Sequence, residues 1–576
     1  LNLTSQFARN DIKEHAYWTE WIIEQANRMP PIYPIKNEDG SYNYPAGSNS
    51  NGLQRLEEGG YRQNVNDELL GTIQAEWEVY KGLKLIGSAG GRVWNNNLHE
   101  NRKAFEGTGD SENKLTEQFY RSKNITTNLM VTYNTKIGKH SIGGLLGYAY
   151  EGFSEKQFST SRLTEDSKYD IFVGDLSGDK VSNGGSASDW AIYSGFARAT
   201  YNYDEKYLLE FNIRNDYSSY FAKGNRSGVF PSFSAGWRIS EESFMQGASD
   251  YLSNLKLRVS WGKTGNNSTG NYDWQANYAT GNVVIDGEGT KGLVRKKLSN
   301  DKLHWESTAT TDIGLDFGFF NNRLTGEIDY YNKYTSDILY HPELYLSMGV
   351  IGSAPENLGE VRNRGVEFTL NWNDRIGKDF EYRVGMNFSF NANKVMKFKG
   401  ELQKYWTYDA QGNKVSYVNN FSDVSESGFG GYICEGRQLG ETYMYKVYRG
   451  SGEGYTGGAV DIHAGPKDGM IRTKEDMVWV QAMIDSGYSF GGMKTVAKDQ
   501  LWYGDILYAD SNGDMNYGDT NDRDFSGHTS VPKFNLGFNC AFSYKNIDFS
   551  MLWSGAFGHY LNWNTDYYNS TLVSHG

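Results

Sequence analysis

The chain has 576 residues, of which 38% are hydrophobic and 15% aromatic, and its formal net charge is −13. A mean hydropathy of −0.65, with no run approaching the roughly 18 apolar residues of a membrane helix, excludes a helical membrane protein. It does not exclude a β-barrel, whose strands turn half their side chains to a polar lumen, while the acidic balance speaks against nucleic acid as a partner.

The first clear element is a pair of strands. Leu69, Gly71, Ile73, Ala75, Trp77 and Val79 alternate with polar residues, Lys81-Gly82 turns the chain, and Leu83, Leu85, Gly87, Ala89, Gly91 and Val93 repeat the pattern. A period of two gives each strand one apolar and one polar face. Strands of this length suit a tilted crossing of a hydrocarbon core. A second hairpin follows through Ile125, Leu129, Val131 and Tyr133 to Ile142, Leu146 and Tyr148, and a third folds residues 190–203 onto 207–221. The fourth joins 232–239 to 255–261 across a longer link with helical character at 241–254. The fifth joins 308–319 to 324–332, the sixth 366–372 to 382–390, and the seventh 533–544 to 547–553. Asn, Gly, Asp and Lys at the turns are the expected chemistry. With residues 1–9 and a further strand near 443–448, the count reaches about fifteen or sixteen.

Between the hairpins lie long polar segments, residues 11–65, 95–116, 153–189, 262–306, 339–365 and 392–532, rich in Gly, Asn, Asp and Ser. They read as loops, and loops of this length usually carry function. A helix is expected over 12–27, capped by Asp11 and stopped by Pro30-Pro31, and another over 473–486. Short turns on one side and long loops on the other are the layout of an outer-membrane barrel. Tyr133, Tyr201, Tyr203, Tyr207, Tyr330, Tyr331 and Tyr544 fall at strand ends, where interfacial belts sit, although β-propensity accounts for each singly. Cys434 and Cys540 have no metal spacing and are expected to be free thiols, with a disulfide between them as the alternative. The opening Leu1-Asn2-Leu3-Thr4 has neither Met nor a cationic start, so a mature or truncated piece is expected.

Five stretches carry a resemblance to a known family. They are 230–245 (FPSFSAGWRISEESFM), 255–266 (LKLRVSWGKTGN), 305–331 with Trp305-Glu306-Ser307-Thr308 and Asp329-Tyr330-Tyr331, Asn363-Arg364-Gly365-Val366-Glu367-Phe368, and Gly504-Asp505-Ile506 running on to Pro532-Lys533-Phe534. In this order they resemble the SusC/RagA family of TonB-linked outer-membrane transporters, which import large nutrients in Bacteroidetes. The resemblance implies an all-β transmembrane antiparallel barrel and TonB-dependent uptake of oligosaccharides or peptides. It also implies a SusD-like surface lipoprotein as lid, TonB acting through a plug domain, and outer-membrane lipid around the wall. Neither a plug nor a closing strand is recognisable. Large plugged transporters close with 22 strands, so the chain is expected to be part of such a barrel.

The sharpest local motif is Asp510-Ser511-Asn512-Gly513-Asp514-Met515-Asn516, with Asp522 beyond it. Oxygen ligands on alternate residues suit Ca²⁺, so Asp510, Asn512, Asp514 and Asp522 are the candidate ligands of a structural ion. Met515 stands where an EF-hand has Gly and Asn521 where it has Glu, and a plain acidic turn is the alternative. No cofactor is required. Gly452-Glu453-Gly454-Tyr455-Thr456-Gly457 matches G-x-G-x-x-G by letter, but Gly465-Pro466 leaves no helix to follow, so it reads as loop. No H-E-x-x-H pair, His/Cys cluster or G-x-S-x-G elbow argues for an enzyme. Among loop aromatics, Trp274, Trp406 and Tyr408 are candidates to stack on substrate. The competing functions are a receptor for a small metal chelate and a secreted, aromatic-rich glycan-binding β-protein.

Overall fold

Alternation fixes which face of a strand is apolar, and backbone pairing fixes which strand lies beside it. In the computed structural model both agree along the whole wall. The structure describes residues 1–560 apart from 18, 21, 24–31, 45–50, 106–111, 165–169, 173–180, 343, 345, 346, 348–351, 421–425, 429 and 430. Fifteen strands form one antiparallel sheet in which each pairs with its neighbours in sequence. They are β1 (Asn2–His15), β2 (Gly60–Tyr80), β3 (Leu83–Arg102), β4 (Asn113–Ile137), β5 (His140–Thr164), β6 (Val181–Tyr203), β7 (Tyr207–Ser218) and β8 (Ser227–Arg238). After them come β9 (Leu252–Asn266), β10 (Glu306–Phe319), β11 (Leu324–Ser336), β12 (Glu360–Ile376), β13 (Phe380–Lys397), β14 (Phe534–Tyr544) and β15 (Ile547–Phe557).

The register carries the apolar face from strand to strand. Trp77 lies opposite Leu85, Leu85 opposite Val131, Val131 opposite Leu146, and Leu146 opposite Ala197. Farther round, Phe211 faces Phe233, Phe233 faces Trp261, and Ile313 faces Val259 and Tyr330. These side chains are open: Trp77 is 65% exposed, Leu146 66% and Leu129 56%. A large apolar surface of this extent on the outside of a sheet is a surface made for lipid. Among the described residues, no helix is long and apolar enough to cross a membrane.

The seven connections at one end of the sheet are residues 81–82, 138–139, 204–206, 239–251, 320–323, 377–379 and 545–546. All but the fourth are tight. At the first, Gly82 has φ +82° and a Cβ there would meet the Asn134 carbonyl oxygen at 2.2 Å, so the turn requires glycine. The opposite end carries the long connections, with residues 219–226 as a short exception.

The strands run farther than alternation alone indicates. β4 and β5 have 25 residues each, roughly 80 Å of rise against an apolar band of about 25 Å. Residues 95–102, 113–116, 153–164 and 181–189, expected as loop, are strand. Their backbones stay paired in water, and rings such as Phe119 and Phe158, 5.7 Å apart, clasp across the ladder.

Two further expectations are corrected. Residues 12–15 belong to β1 and pair with 61–64 instead of opening a helix; helical backbone appears at 19, 20, 22 and 23, while 24–27 lie outside the described residues. The helix of that connection is α1 (Gly52–Glu58), capped by Asn51, whose Oδ1 accepts from the Leu53 and Gln54 N–H groups. The strand expected near 443–448 shrinks to Tyr443–Met444, paired with Asp524–Phe525 inside the largest connection and not part of the wall.

Candidate functional site

Two parts of the molecule face what a barrel would carry: the polar side of the wall and the folded connection between β13 and β14. On the wall the residues between the lipid-facing ones pair with each other. Arg198 Nη2 lies 2.5 Å from Glu210 Oε2, Arg214 Nε donates to Asp216 Oδ1 at 2.6 Å, and its Nη2 donates to Ser194 Oγ at 2.8 Å. Arg258 bridges Asp316 at 2.7 Å and Asp329 at 2.9 Å. Beside it a cavity of about 670 Å³ is lined by Asn134, Lys136, Glu210, Lys256, Arg258 and Asp312. On β12–β14 amides join the charges, with Arg383 Nη2 3.5 Å from Glu381 Oε1 near the turn. Asn371, Asn387 and Asn539 pack over Gly385 and Gly537, where a Cβ would come within 2.5 to 2.8 Å of amide atoms.

The connection between β13 and β14 has a core of its own. Its helix α2 (Lys474–Asp485) begins with a capping box in which Thr473 Oγ1 accepts from the Asp476 N–H and the Asp476 carboxylate accepts from the Thr473 N–H. That agrees with the helix expected over 473–486. Its inner face buries Met477, Trp479, Val480 and Met483 against Tyr448, Ile471, Leu507 and Tyr517. Trp479 is fully buried and donates from Nε1 to the Asp461 carbonyl at 2.8 Å; Tyr448 Oη donates to the Ile462 carbonyl at 2.7 Å. Burial pushes the Tyr448 phenol up to about 12.

The Asp510 loop lies against this core. Asp510 Oδ1 accepts from the Gly513 N–H at 2.6 Å and Oδ2 from the Met515 N–H at 3.0 Å. Asn512 Oδ1 accepts from the Asp514 N–H at 2.9 Å, and Asp514 Oδ1 accepts from the Asn516 N–H at 2.8 Å. Asp522, 1% exposed, folds back so that its carboxylate accepts from the Ser511 N–H at 2.6 Å and the Gly518 N–H at 2.7 Å. Burial raises its carboxyl above the ordinary range, against those backbone donors. All four carboxylate or amide groups are thus engaged by the loop's own donors. Among the described residues, no cluster of three or more His, Cys, Asp or Glu is arranged to hold a metal.

Of the three aromatic candidates, two come together. Trp406 and Tyr408 lie on one hairpin strand, Gln403–Tyr408, paired with Lys414–Asn420. Trp406 donates from Nε1 to the Asn512 carbonyl at 3.0 Å, packs 5.4 Å from the Tyr417 ring, and holds Lys414 Nζ 4.6 Å above its face. Tyr408 is 60% exposed. Trp274 lies elsewhere, half-buried against Phe221, Leu303 and Trp305 in the connection between β9 and β10. The two cysteines are free thiols, Cys434 buried and Cys540 in the wall.

One cluster escaped the sequence reading because most of its residues were assigned to loops. Above the apolar band, His99 reaches Glu117 at 2.6 Å and Asp170 at 3.0 Å, Asn101 donates to Asp170 at 2.6 Å, and Tyr61 bonds the same carboxylate. Burial alone would lower the His99 pKa, but the two carboxylates outweigh it and raise it. Burial likewise opposes ionisation of Asp170, and its three donors outweigh that and hold its carboxyl below the ordinary range. The usable signal was the backbone: residues 95–102 carry no Gly or Pro that would break a strand.

Comparison with known proteins gives a consistent picture. The family model for the TonB dependent receptor-like β-barrel matches residues 23–465. TonB-dependent receptor P3 of Formosa agariphila is 28% identical over 548 residues, covering 93% of this chain and 49% of that protein. TonB-dependent receptor SusC of Bacteroides thetaiotaomicron is 29% identical over 401 residues, covering 67% and 38%. The chain therefore spans half or less of the length of these relatives. Among solved structures, the RagAB peptide transporter superposes with a TM-score of 0.74 at 21% identity, covering 97% of this chain and 56% of that one.

Proposed function

The chain belongs to the TonB dependent receptor-like β-barrel family, and on that premise we propose that it supplies the wall and outward loops of a nutrient importer. It is an outer-membrane protein, and its relatives are receptors and not enzymes. In this reading oligosaccharides or peptides enter from outside under a SusD-like lipoprotein lid. They pass the polar wall when TonB, acting through a plug, opens the lumen. The carrying observation is the unbroken lipid-out, polar-in register across fifteen strands, topped at the long-connection end by a folded connection with its own core. A structural neighbour titled a peptide transporter is compatible with peptides as one class of cargo.

Within that reading the exposed Tyr408 contacts substrate beside Trp406, and Trp274 contributes from the connection between β9 and β10. A structural Ca²⁺ at Asp510, Asn512, Asp514 and Asp522 remains part of the proposal, since a carboxylate that accepts a backbone N–H keeps lone pairs for a cation; calorimetric titration with CaCl₂ measures whether it binds. The test of function is uptake. Cells lacking the gene are offered labelled oligosaccharides and peptides, and the tagged protein is purified to identify the lipoprotein that travels with it. Loss of uptake for one of these polymer classes, with a lipoprotein retained, is expected. Unchanged uptake of both, or a defect confined to a metal chelate, overturns the proposal.

A further inference from the structure

We propose that the link between β8 and β9, residues 239–251, is an aromatic foot seated in the lipid headgroup layer of the inner leaflet, anchored by Phe244 and Tyr251. The inference rests on the outer-membrane barrel reading. The other six connections at this end have two to four residues, whereas this one has thirteen and folds into two 3₁₀ turns, Ile239–Glu241 and Ser243–Ala248. An ordinary hairpin does not need that length.

Glu242, between the two turns, places the link. Its Oε1 accepts from Tyr207 Oη at 2.5 Å and from Trp237 Nε1 at 3.1 Å, and its Oε2 lies 3.5 Å from Lys206 Nζ. Tyr207 and Trp237 are opposite each other in the ladder and share the face of Leu209, Phe211 and Phe233. That is the lipid face. The carboxylate therefore reaches around the strand ends to the outside of the wall and satisfies the polar tips of two rings whose bodies face hydrocarbon. Aromatic residues of this amphipathic kind are enriched where hydrocarbon meets headgroups.

At the end of the link Tyr251 continues the same rim, and Phe244 stands open two residues after Glu242. Phe244 and Tyr251 are each 68% exposed. The Phe320 N–H donates to the Tyr251 carbonyl at 2.8 Å, and their rings meet edge to face at 6.5 Å. Phe320 is 6.4 Å from Trp372, whose Nε1 donates to Tyr382 Oη at 3.1 Å; Phe380 follows, 5.8 Å from both Tyr382 and Phe542. An open Phe and Tyr at the end of a lipid-facing aromatic rim are covered most simply by the same lipid. A soluble periplasmic protein is the competing occupant, and it would not require continuity with that rim.

The test uses the full-length protein in liposomes, with Cys434 and Cys540 replaced by Ser. A nitroxide is attached in turn at Phe244→Cys and Tyr251→Cys, and at Leu129→Cys and Asn128→Cys as lipid and lumen references. Collision with oxygen is compared with collision with a water-soluble nickel chelate. The foot predicts that Phe244 and Tyr251 show a ratio on the Leu129 side of the midpoint between the references. A chelate-dominated ratio at both sites, with Leu129 still lipid-like, overturns the foot and leaves the barrel intact, as expected for a surface that meets a soluble protein. If Leu129 itself is water-like, the barrel reading fails first. Should the Phe244 variant not insert, Tyr251 alone decides.

Discussion

The wall of the barrel and the folded connection above it are built from the same apolar residues, placed in opposite ways. On the wall Leu129, Leu146 and Trp77 stand open; in the connection Trp479, Val480 and Met483 are fully buried. The wall turns its polar residues inward as ion pairs and amides, whereas the connection seals a core of eleven buried side chains and leaves most of its polar groups outside, Asp522 and Glu441 excepted. The difference lies in the solvent. One region is an inside-out sheet for hydrocarbon, and the other is an ordinary water-soluble fold that a barrel strand pair happens to carry. A hydrophobic residue is therefore informative here only together with its period: two on the wall, helical or irregular in the connection.

The largest expected effect separates the regions outright. Trp479→Ala should destabilise the connection by about 3–5 kcal/mol through a cavity and an unpaired Asp461 carbonyl. Limited proteolysis should then cut between 398 and 533 while the wall keeps its resistance to detergent at room temperature. Loss of both together would mean that connection and wall fold as one unit.

Next comes the wall itself. Leu129→Arg near the middle of the apolar band should cost about 2–4 kcal/mol in lipid, whereas Asn128→Arg on the polar face should be mild. Reversible unfolding in urea from liposomes measures both. Equal penalties would contradict the facing that the register assigns, in which Leu129 lies between Gly87 and Tyr148 and Asn128 between Ser88 and Ala149.

A smaller effect belongs to the Asp510–Asp522 loop. Asp522→Ala leaves the Ser511, Gly518 and Asp519 N–H groups without their acceptor, an expected loss of about 1–3 kcal/mol. Amide exchange across 510–522 should accelerate in the variant. Unaltered exchange would show that the loop is held from outside, by Trp406 or by an ion.

The smallest effect is a pH dependence at the outer strand ends. With the folded pKa of His99 above its unfolded value, its contribution is complete below about 6.5 and fades as pH rises through the folded value. The pair is partly exposed, so the contribution is below about 1 kcal/mol. Exchange at the segment around Asp170, corrected for intrinsic rate, should rise across that window, and His99→Gln should flatten the response. A flat response in the parent chain would show that Tyr61 and Asn101 suffice to hold Asp170.

The wall was legible because a sheet with lipid on one side and water on the other must alternate, and fourteen of its strands lie in stretches whose period or turn chemistry stands out. Strand ends above the band were not, since both faces there meet water and the period disappears. That is why His99 and Glu117 were hidden, while Asp170 joins them from the connection between β5 and β6. The helix over 473–486 was legible from its cap. The helix expected after Asp11 lost its first turn because Ile12 found a partner in Asn64, and a pairing 52 residues away leaves no local mark.

The candidate site divides in the same way. The Asp510 loop could be singled out by the spacing of its oxygens, but whether those oxygens meet an ion or their own backbone is a matter of three-dimensional closure. Trp406 and Tyr408 could be named as loop aromatics; that Trp406 ties its hairpin to Asn512, while Trp274 packs into a different cluster, depends on contacts across about a hundred residues.

By itself the sequence determined that this is a lipid-facing meander with tight turns at one end, because period and turn chemistry are local properties of a chain. Only the tertiary structure decided how far the strands climb, which polar residues pair along the inner wall, and where Glu242 and its neighbours come to rest. Those outcomes depend on register and on contacts between distant segments, which no short window of residues contains.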